Sequence, residues 1–354
     1  MKNSQPKNTY KGGAEVFKGY VRLSSNENNY GPAKSVKSLI KKNIKFSNIY
    51  PEIDGESLIN QIAKTYKINN KQIILGAGSD EVLQMIYATF SKPNDEVVFT
   101  KYAFAMYSIY AKHFRCKVKK YDDKEFQFKL ENLSKIISSK TKIVFLANPN
   151  NPTGTYLSKL ELIELRKKLR KNILLVIDDA YAEYMKNKDY SSGLDLFKNK
   201  DNVFILRTFS KMFGLASLRV GWGYGSKKIV DALNVIKPPF NVNGIAQLAA
   251  TESLKDKAFI NKSIRHNLLY SEKIKKFLET YNIFSNPVSA NFLLLNFEKC
   301  RYSAKFLYEK LKNKGIILRS TEDGYHIKNK LRLTIGSKKE NLKFMSAVKQ
   351  VLKK

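Results

Sequence analysis

The stretch RTFSKMFGLASLRVGW (residues 207–222) combines a lysine with side chains that bind phosphate. Thr208, Ser210 and Lys211 follow the apolar run NVFIL, which predicts a buried strand ending just before them. Ligands of α/β folds bind at such strand ends. An amine at this position can form a Schiff base with a phosphorylated aldehyde. The alternative is a solvent-exposed loop lysine, because lysine is abundant along this chain.

A second predicted strand ends in a turn that suits a phosphate group. The turn GAGSDE (residues 76–81) precedes a predicted amphipathic helix. The backbone N–H groups of Gly78, Ser79 and Asp80 can therefore hold an anion at the positive end of that helix. Glycine turns before helices are also common without a ligand, and acidic residues favour a helix N-terminus on their own.

Two further strand ends supply groups for a nitrogen-containing aromatic ring. Asp178 follows the buried run NILLVI (172–177), where a carboxylate needs a cation or donor to avoid a raised pKa. A pyridinium nitrogen would be such a partner, and Tyr181 can donate its hydroxyl to a phenolate oxygen on the same ring. Asn151, in the turn NPNNPTG (148–154), can place an amide nearby, although a prolyl turn without a ligand is the alternative.

These groups together describe one ligand. A phosphate site, a carboxylate for a ring nitrogen, donors for a ring oxygen and a lysine for an aldehyde match pyridoxal 5′-phosphate. Arg219 fits the same ligand, because a guanidinium forms paired hydrogen bonds with phosphate. This combination outweighs the solvent-exposed interpretation of Lys211.

The order of the predicted elements indicates an α/β fold. Short apolar runs alternate with helical patterns as far as RVGWGYG (219–225), which predicts βαβ units around a mainly parallel sheet. A long helical region follows residue 244, and then the strand-like runs NFLLLNF, GIILR and KLRLTIG. We predict the following parts: an N-terminal arm with part of the small domain (1–45), a large cofactor-binding domain (46–245) and a smaller α+β domain (246–354).

The composition excludes several classes of protein. The 354 residues are 43% hydrophobic and 27% charged, as in ordinary globular chains. No apolar run is long enough to cross a membrane, and the N-terminus lacks the apolar region of a secretory signal. Two cysteines and three histidines occur without metal-ligand spacing, so we expect no metal site, reduced thiols and a cytoplasmic location.

The net charge of +33 raises the question of a nucleic-acid partner. The lysines are spread along the chain and greatly outnumber the arginines, whereas nucleic-acid surfaces concentrate their charge and use arginine for paired contacts. We therefore expect no nucleic-acid partner. The charge should still speed the arrival of anionic ligands in a salt-dependent way.

The chain resembles the fold-type-I aminotransferases and, among them, the histidinol-phosphate aminotransferases. The resemblance rests on motifs spread over nearly the whole chain: VRLSSNENNYGP, GAGSDE, YAFAMY, NPNNPTG, DDAY, RTFSKMFGLASLRVGW, KPPFNVN, ILR and LRLTIG. Their order and spacing are more specific for the fold and cofactor than for the substrate. The resemblance implies a pyridoxal-phosphate-dependent transferase with a mainly parallel central sheet in its large domain.

The resemblance also implies roles for individual residues. Lys211 matches the lysine that forms the Schiff base, and Asp178 matches the partner of the pyridine nitrogen. Asn151 and Tyr181 match the residues that hydrogen-bond the ring oxygen, and Phe104 matches the aromatic ring that stacks on the cofactor. The phosphate cup corresponds to the following residues: Gly78, Ser79, Asp80, Thr208, Ser210 and Arg219.

Contacts beyond the cofactor are implied in the same way. Tyr50 resembles the tyrosine that reaches the phosphate of the neighbouring subunit, which implies a homodimer with shared active sites. Arg332 resembles the arginine that binds the substrate carboxylate, and Arg319 a second anion contact of this branch. Tyr20 and Tyr30 are further candidate substrate contacts, although packing of an arm against the other subunit is the alternative.

Three positions depart from the family pattern. Asn29 stands where proline is common, Ile49 where arginine is frequent, and Asp179 where glutamate is usual. None of them matches a cofactor contact of the family, so the expected chemistry is unchanged.

The expected reaction is transamination of histidinol phosphate with 2-oxoglutarate, giving imidazole-acetol phosphate and glutamate in histidine biosynthesis. Arg319 and Arg332 together suit a phosphate dianion in one half-reaction and glutamate in the other. The alternatives are an aromatic amino-acid or arogenate-type aminotransferase, a decarboxylase of a phosphorylated amino acid, and a regulator that binds the cofactor without catalysis. A regulator would need a DNA-binding segment, and none is expected before residue 20.

Overall fold

The computed structural model describes residues 19–352, except 122–125, 127–129 and 199. Residues 1–18 of the predicted N-terminal part (1–45) therefore lie outside the described residues.

The described residues form the following strands in chain order: β1 (Val21–Arg22), β2 (Ile73–Gly76), β3 (Glu96–Thr100), β4 (Lys117–Tyr121), β5 (Thr141–Ala147), β6 (Leu174–Asp178), β7 (Val203–Thr208), β8 (Gly221–Tyr224), β9 (Phe284–Ser285), β10 (Phe292–Asn296), β11 (Ile316–Ile317), β12 (Arg319–Ser320) and β13 (Lys330–Thr334). The α-helices are α1 (Lys34–Asn43), α2 (Glu56–Tyr66), α3 (Ser79–Phe90), α4 (Ala105–His113), α5 (Leu130–Ile136), α6 (Lys159–Lys168), α7 (Gly193–Leu196), α8 (Lys227–Asn234), α9 (Gly244–Ser253), α10 (Lys257–Glu279), α11 (Ala304–Asn313), α12 (Glu322–Tyr325) and α13 (Lys338–Val351).

A seven-stranded sheet organises the larger part of the molecule. Its spatial order is β2-β8-β7-β6-β5-β3-β4, and β8 is antiparallel to both of its neighbours while the other adjacent pairs are parallel. Apolar side chains cover both faces of the central strands, which explains why β6 and β7 are nearly continuous apolar runs. The mainly parallel sheet that the sequence predicts is confirmed.

A smaller antiparallel sheet with the order β12-β13-β10-β9 organises the second part. Helices α10, α11 and α13 contribute buried side chains to its apolar cluster, among them Ile274, Leu307 and Phe344. The N-terminal segment belongs to this part as well, because β1 pairs in parallel with β11 and Leu23 is buried in the same cluster.

The change from one apolar cluster to the other occurs within α10. Ile264 belongs to a cluster of the large sheet, whereas Tyr270 on the same helix belongs to the cluster of the small sheet. The predicted boundary lies near residue 245, before this helix. From the packing we propose that the large domain extends into α10, so that its boundary with the small domain lies between Ile264 and Tyr270.

The topology brings the sequence-predicted residues to one edge. Strands β2, β5, β6 and β7 share one direction, so their carboxyl ends meet at the same side of the sheet. β8 runs the opposite way and therefore begins at this edge, directly after Arg219 and Val220. Ligands of open α/β sheets bind outside this edge.

Candidate active site

A cavity of about 180 Å³ lies at this edge, between the large sheet and strands β12 and β13. It is lined by most of the residues that the sequence analysis singles out: Ser79, Asp80, Phe104, Asn151, Asp178, Tyr181, Thr208, Ser210, Lys211, Arg219, Arg319 and Arg332. Gly78 lies in the turn just before Ser79, and Tyr50 lies elsewhere.

The first turn of α3 forms one wall of the cavity. Gly78 caps this helix with a φ of 82°, and no side-chain cap from the described residues covers the N–H groups that follow it. A Cβ atom at Gly78 would collide with the guanidinium of Arg219, which lies across the turn. That guanidinium is 3.4 Å from Asp80 Oδ2 and 3.4 Å from Ser210 Oγ. Free N–H groups, a hydroxyl and a guanidinium thus converge at a helix N-terminus, which suits a phosphate.

A glycine that the sequence analysis does not single out supports this wall. Gly221 begins β8, and a Cβ atom there would collide with the backbone nitrogen of Ser79. Only glycine therefore permits β8 to pass directly behind the helix start. The close approach holds the N–H groups of the turn against the sheet edge.

Lys211 lines the cavity. Its Nζ donates a hydrogen bond to the carbonyl oxygen of Ser25 at 3.1 Å. Burial lowers the pKa of Lys211 to about 8, and the positive charge of Arg332 adds to this, whereas Glu27 and Asp80 oppose it. A substantial fraction of the amine is therefore neutral near pH 8, as a nucleophile or base must be.

Asp178 ends β6 below the same cavity. Its Oδ2 accepts a hydrogen bond from the Tyr107 hydroxyl at 2.9 Å, and its Oδ1 accepts one from the Ala180 N–H at 3.2 Å. Burial raises the pKa of Asp178 to about 6, although both hydrogen bonds oppose the shift. A cationic N–H group in the cavity would stabilise the carboxylate against this burial.

The neighbouring carboxylate faces the other way. Asp179 Oδ2 accepts a hydrogen bond from the Gly193 N–H at 2.8 Å and lies 3.9 Å from the guanidinium of Arg207. Burial raises the pKa of Asp179 to about 7, while Arg207 opposes the shift. The departure from the family pattern at this position therefore lies outside the cavity.

Two polar side chains that line the cavity can each donate a hydrogen bond into it. Asn151 Oδ1 accepts a hydrogen bond from Arg332 Nη1 at 2.6 Å, which leaves the Asn151 amide nitrogen free to donate. Tyr181 Oη accepts a hydrogen bond from Asn26 Nδ2 at 2.9 Å, which leaves the phenolic hydrogen free to donate. Phe104 borders the cavity beside them, with its ring edge-on to Tyr107 at 5.9 Å.

Two arginines on strands of the smaller sheet line the cavity. Arg319 of β12 and Arg332 of β13 are direct cross-strand partners in an antiparallel pair. Tyr325 lies against both, with its ring 5.9 Å below the Arg319 guanidinium and its hydroxyl 3.4 Å from Arg332 Nη1. Arg332 Nε is buried and has no hydrogen-bond partner among the described residues. Like charges in this arrangement repel each other unless an anion lies between them.

Three of the tyrosines from the sequence analysis do not border this cavity. Tyr50 is 80% exposed, stacks on Phe240 at 4.6 Å and borders an open groove of about 790 Å³. Tyr30 packs against His266 at 4.8 Å within the chain. Tyr20 lies near the turn at Gly315. A substrate contact by Tyr20 or Tyr30 gains no support from this arrangement.

The cavity also contains polar residues that the sequence analysis does not single out, namely Ser24, Ser25, Asn26 and Tyr325. Tyr107, which donates to Asp178, is likewise missed. Asn26 and Tyr107 belong to the motifs VRLSSNENNYGP and YAFAMY. These motifs identified the two segments but did not show which hydrogen bonds Asn26 and Tyr107 form. These contacts depend on tertiary structure.

The described part of the chain contains neither a cluster of metal-ligating side chains nor a membrane-spanning helix. No group of three or more His, Cys, Asp or Glu side chains there could hold a metal ion. No helix within the same residues is long and apolar enough to span a membrane.

The sequence matches the family model for aminotransferase class I and II over residues 18–348. The chain belongs to the class I and II aminotransferase family. The aminotransferase is 55% identical to histidinol-phosphate aminotransferase of Pelagibacter ubique, over 95% of this chain and 93% of the relative. It is 35% identical to the histidinol-phosphate aminotransferase of Maricaulis maris, over 97% of this chain and 96% of the relative.

A solved structure agrees with the fold of this aminotransferase. The crystal structure of histidinol-phosphate aminotransferase from Sinorhizobium meliloti, in complex with pyridoxal-5′-phosphate, superimposes with a TM-score of 0.85. The two sequences are 22% identical, and the match covers 94% of this chain and 90% of that one. The predicted fold-type-I architecture is confirmed.

Proposed function

We propose that this aminotransferase transfers the amino group of histidinol phosphate to 2-oxoglutarate with pyridoxal 5′-phosphate as cofactor, as a step of histidine biosynthesis. The observation that carries the substrate is the cross-strand pair Arg319–Arg332 above the cavity that contains Lys211 and Asp178. The 55% identity to a histidinol-phosphate aminotransferase over nearly the whole chain supports the same substrate.

The residues around the cavity fit the cofactor chemically. Pyridoxal 5′-phosphate supplies an electron-accepting ring that makes a substrate Cα–H bond acidic. The first turn of α3, with Arg219, Ser210 and Thr208, would hold its phosphate. Asp178 would keep the ring nitrogen protonated, because a buried carboxylate is stabilised by a cation beside it.

Tyr181 and Asn151 would both donate to the ring oxygen, since each has its other polar atom occupied by a protein partner. Phe104 would cover one face of the ring. Lys211 would hold the aldehyde carbon and, once released, take the proton from the substrate Cα at its Nζ. Its lowered pKa keeps enough of the amine neutral for this task.

The arginine pair distinguishes this substrate from a plain amino acid. Histidinol phosphate has no carboxylate, so its phosphate dianion must occupy the position where the carboxylate of an amino-acid substrate binds. Two guanidiniums on adjacent strands offset a dianion better than one does. The unpaired, buried Nε of Arg332 is a donor that such an anion would satisfy.

Replacing Arg319 with alanine is expected to weaken turnover of histidinol phosphate more than turnover of glutamate or phenylalanine. A charge-assisted hydrogen bond to phosphate contributes about 1.5–3 kcal/mol, so the preference should shift by roughly ten- to a hundredfold. Arg332→Ala should instead lower kcat/KM for every substrate, because both half-reactions use this arginine. The measurement is kcat/KM for each substrate with each variant. Equal losses across substrates for Arg319→Ala would favour the aromatic aminotransferase alternative.

We propose a homodimer with shared active sites and a cytoplasmic location. The support for a second copy is the groove around Tyr50, which contains the exposed apolar side chains Phe46, Ile49 and Leu248. Exposed apolar grooves of this kind are typical of interaction surfaces. Tyr50 lies outside the cavity of its own chain, as a residue that serves a neighbour must.

Mixing Lys211→Ala and Tyr50→Phe subunits is expected to restore activity above that of either variant alone. In a mixed dimer one site regains both Lys211 and Tyr50, so random exchange should recover up to about a quarter of the wild-type sites. Activity is measured after the subunits are unfolded and refolded together. Refolding each variant separately before mixing provides the control. Activity no higher than in that control, or full activity of a monomer, would contradict the shared site.

A further inference from the structure

Asn26 occupies a strained position next to Tyr181. It is buried, and its φ of 56° lies in the left-handed region that asparagine tolerates better than most residues. Its N–H donates to Thr334 Oγ1 at 2.9 Å, and its carbonyl oxygen accepts from Asn291 Nδ2 at 2.9 Å. Both backbone groups of Asn26 are therefore hydrogen-bonded, and this fixes the direction of its side chain.

The hydrogen bonds of this group have a defined direction. Thr334 Oγ1 already accepts the Asn26 N–H, so its own hydrogen is available to Asn26 Oδ1 at 3.2 Å. The amide oxygen is thereby occupied, and the amide nitrogen faces Tyr181 Oη at 2.9 Å. Reversing the amide would direct a second N–H at Thr334 and leave the threonine hydrogen without an acceptor in this group. Asn26 therefore donates to Tyr181.

This direction determines where the Tyr181 hydrogen goes. Burial raises the pKa of Tyr181 above its ordinary value, so the phenol keeps its hydrogen at neutral pH. No acceptor for that hydrogen is found among the residues that the structure describes, and the side chain borders the cavity. The hydroxyl is thus prevented from donating to Asn26 and is left to donate into the cavity.

We propose that Asn26 is a positioning residue that, together with Thr334, directs the Tyr181 hydroxyl hydrogen at the ring oxygen of the bound cofactor. This inference rests on the proposed function, because it needs the cofactor in the cavity. Asn26 belongs to the N-terminal segment and Thr334 to β13, two residues after Arg332 on the same face of that strand. The group therefore also joins Tyr181 to the strand that carries the substrate arginine.

The test uses the absorption of the cofactor-loaded, substrate-free protein as a function of pH. A hydrogen bond donated to the ring oxygen stabilises its ionised form, so loss of the donor should raise the pKa of the spectral change. We expect a rise of about one unit for Tyr181→Phe. Asn26→Gly, which removes the amide but suits a positive φ, should give a smaller rise in the same direction. Asn26→Asp keeps the shape but replaces the donor with an acceptor, so it should raise the pKa at least as much as Asn26→Gly.

A double variant separates this role from a merely structural one. In a Tyr181→Phe background, Asn26→Gly should cause no further shift, because the hydroxyl it orients is absent. Thr334→Val should raise the pKa like Asn26→Gly, whereas Thr334→Ser, which retains the hydroxyl, should keep the wild-type value. Additive shifts, or a wild-type pKa in both Asn26 variants, would overturn the inference. A protein with no Lys211-dependent chromophore would instead contradict the proposed function itself.

Discussion

Replacing Lys211 with alanine is expected to lower kcat by about 10⁴-fold or more. Lys211 is the amine that the structure places in the cavity with a pKa lowered to about 8. A positioned acid–base group contributes about 10²–10⁴-fold to the rate, and the same side chain would also provide the covalent link to the cofactor. Steady-state turnover of histidinol phosphate with 2-oxoglutarate measures the loss. A variant with near-normal turnover would contradict the assignment.

A buried lysine outside the cavity provides a matched control. Lys330 is 6% exposed and pairs with Glu298 Oε1 at 2.7 Å, outside the cavity. Lys330→Met should lower the stability of the small domain but leave the spectrum of the bound cofactor intact. A comparable loss of the chromophore in both variants would indicate general damage rather than a role of Lys211.

Replacing Asp178 with asparagine is expected to leave the cofactor bound but to lower kcat by about 10²- to 10⁴-fold. Removing one partner of a buried ion pair costs about 3–5 kcal/mol, and a neutral amide cannot hold a proton on the ring nitrogen. The side chain would otherwise keep its shape and its contact with Tyr107. Cofactor affinity and kcat are measured on the same preparation. A loss of less than about tenfold would rule out the proposed partnership with the ring nitrogen.

The adjacent carboxylate provides the control for this variant. Asp179 is buried, but it contacts Gly193 and Arg207 and does not line the cavity. Asp179→Asn should therefore lower the melting temperature, because Arg207 loses part of its buried charge compensation, while kcat stays near the wild-type value. A loss of kcat in Asp179→Asn as large as that in Asp178→Asn would contradict the specific role of Asp178.

Residues at strand ends were predictable from the sequence because strand direction alone brings them together. The runs before Asp178 and Thr208 are continuous and apolar, as in strands buried on both faces, and they became β6 and β7. Once these strands are parallel and adjacent, their carboxyl ends must lie side by side. The motifs GAGSDE and RTFSKMFGLASLRVGW then predicted that Gly78 and Arg219 lie at the same edge.

Other elements were missed for physical reasons. Strand β4 has the sequence KVKKY and lies at the edge of the large sheet, where lysines are common and an apolar pattern is not required. The run GIILR predicts one strand, but the structure divides it into β11 and β12, which join different sheets. This division places Arg319 opposite Arg332, a pairing that no local pattern in the sequence encodes.

The contacts of Asn26 and Tyr107 were missed for a related reason. Each reaches a residue far away in sequence, Tyr181 and Asp178 respectively, across the junction of separate elements. Sequence patterns report periodicity and spacing within a segment, whereas these hydrogen bonds depend on the distance between segments. Residues that we propose to contact the ligand were thus easier to predict than the residues that we propose to orient them.

The most direct test of the central claim, that Lys211 carries the cofactor, is peptide mapping after reduction of the cofactor-loaded protein with borohydride. The chain is rich in lysine, so the position of the label is highly discriminating. We expect the pyridoxyl group on Lys211, together with loss of aminotransferase activity in proportion to labelling. A label on another lysine, or an active protein that carries no reducible cofactor, would contradict the account.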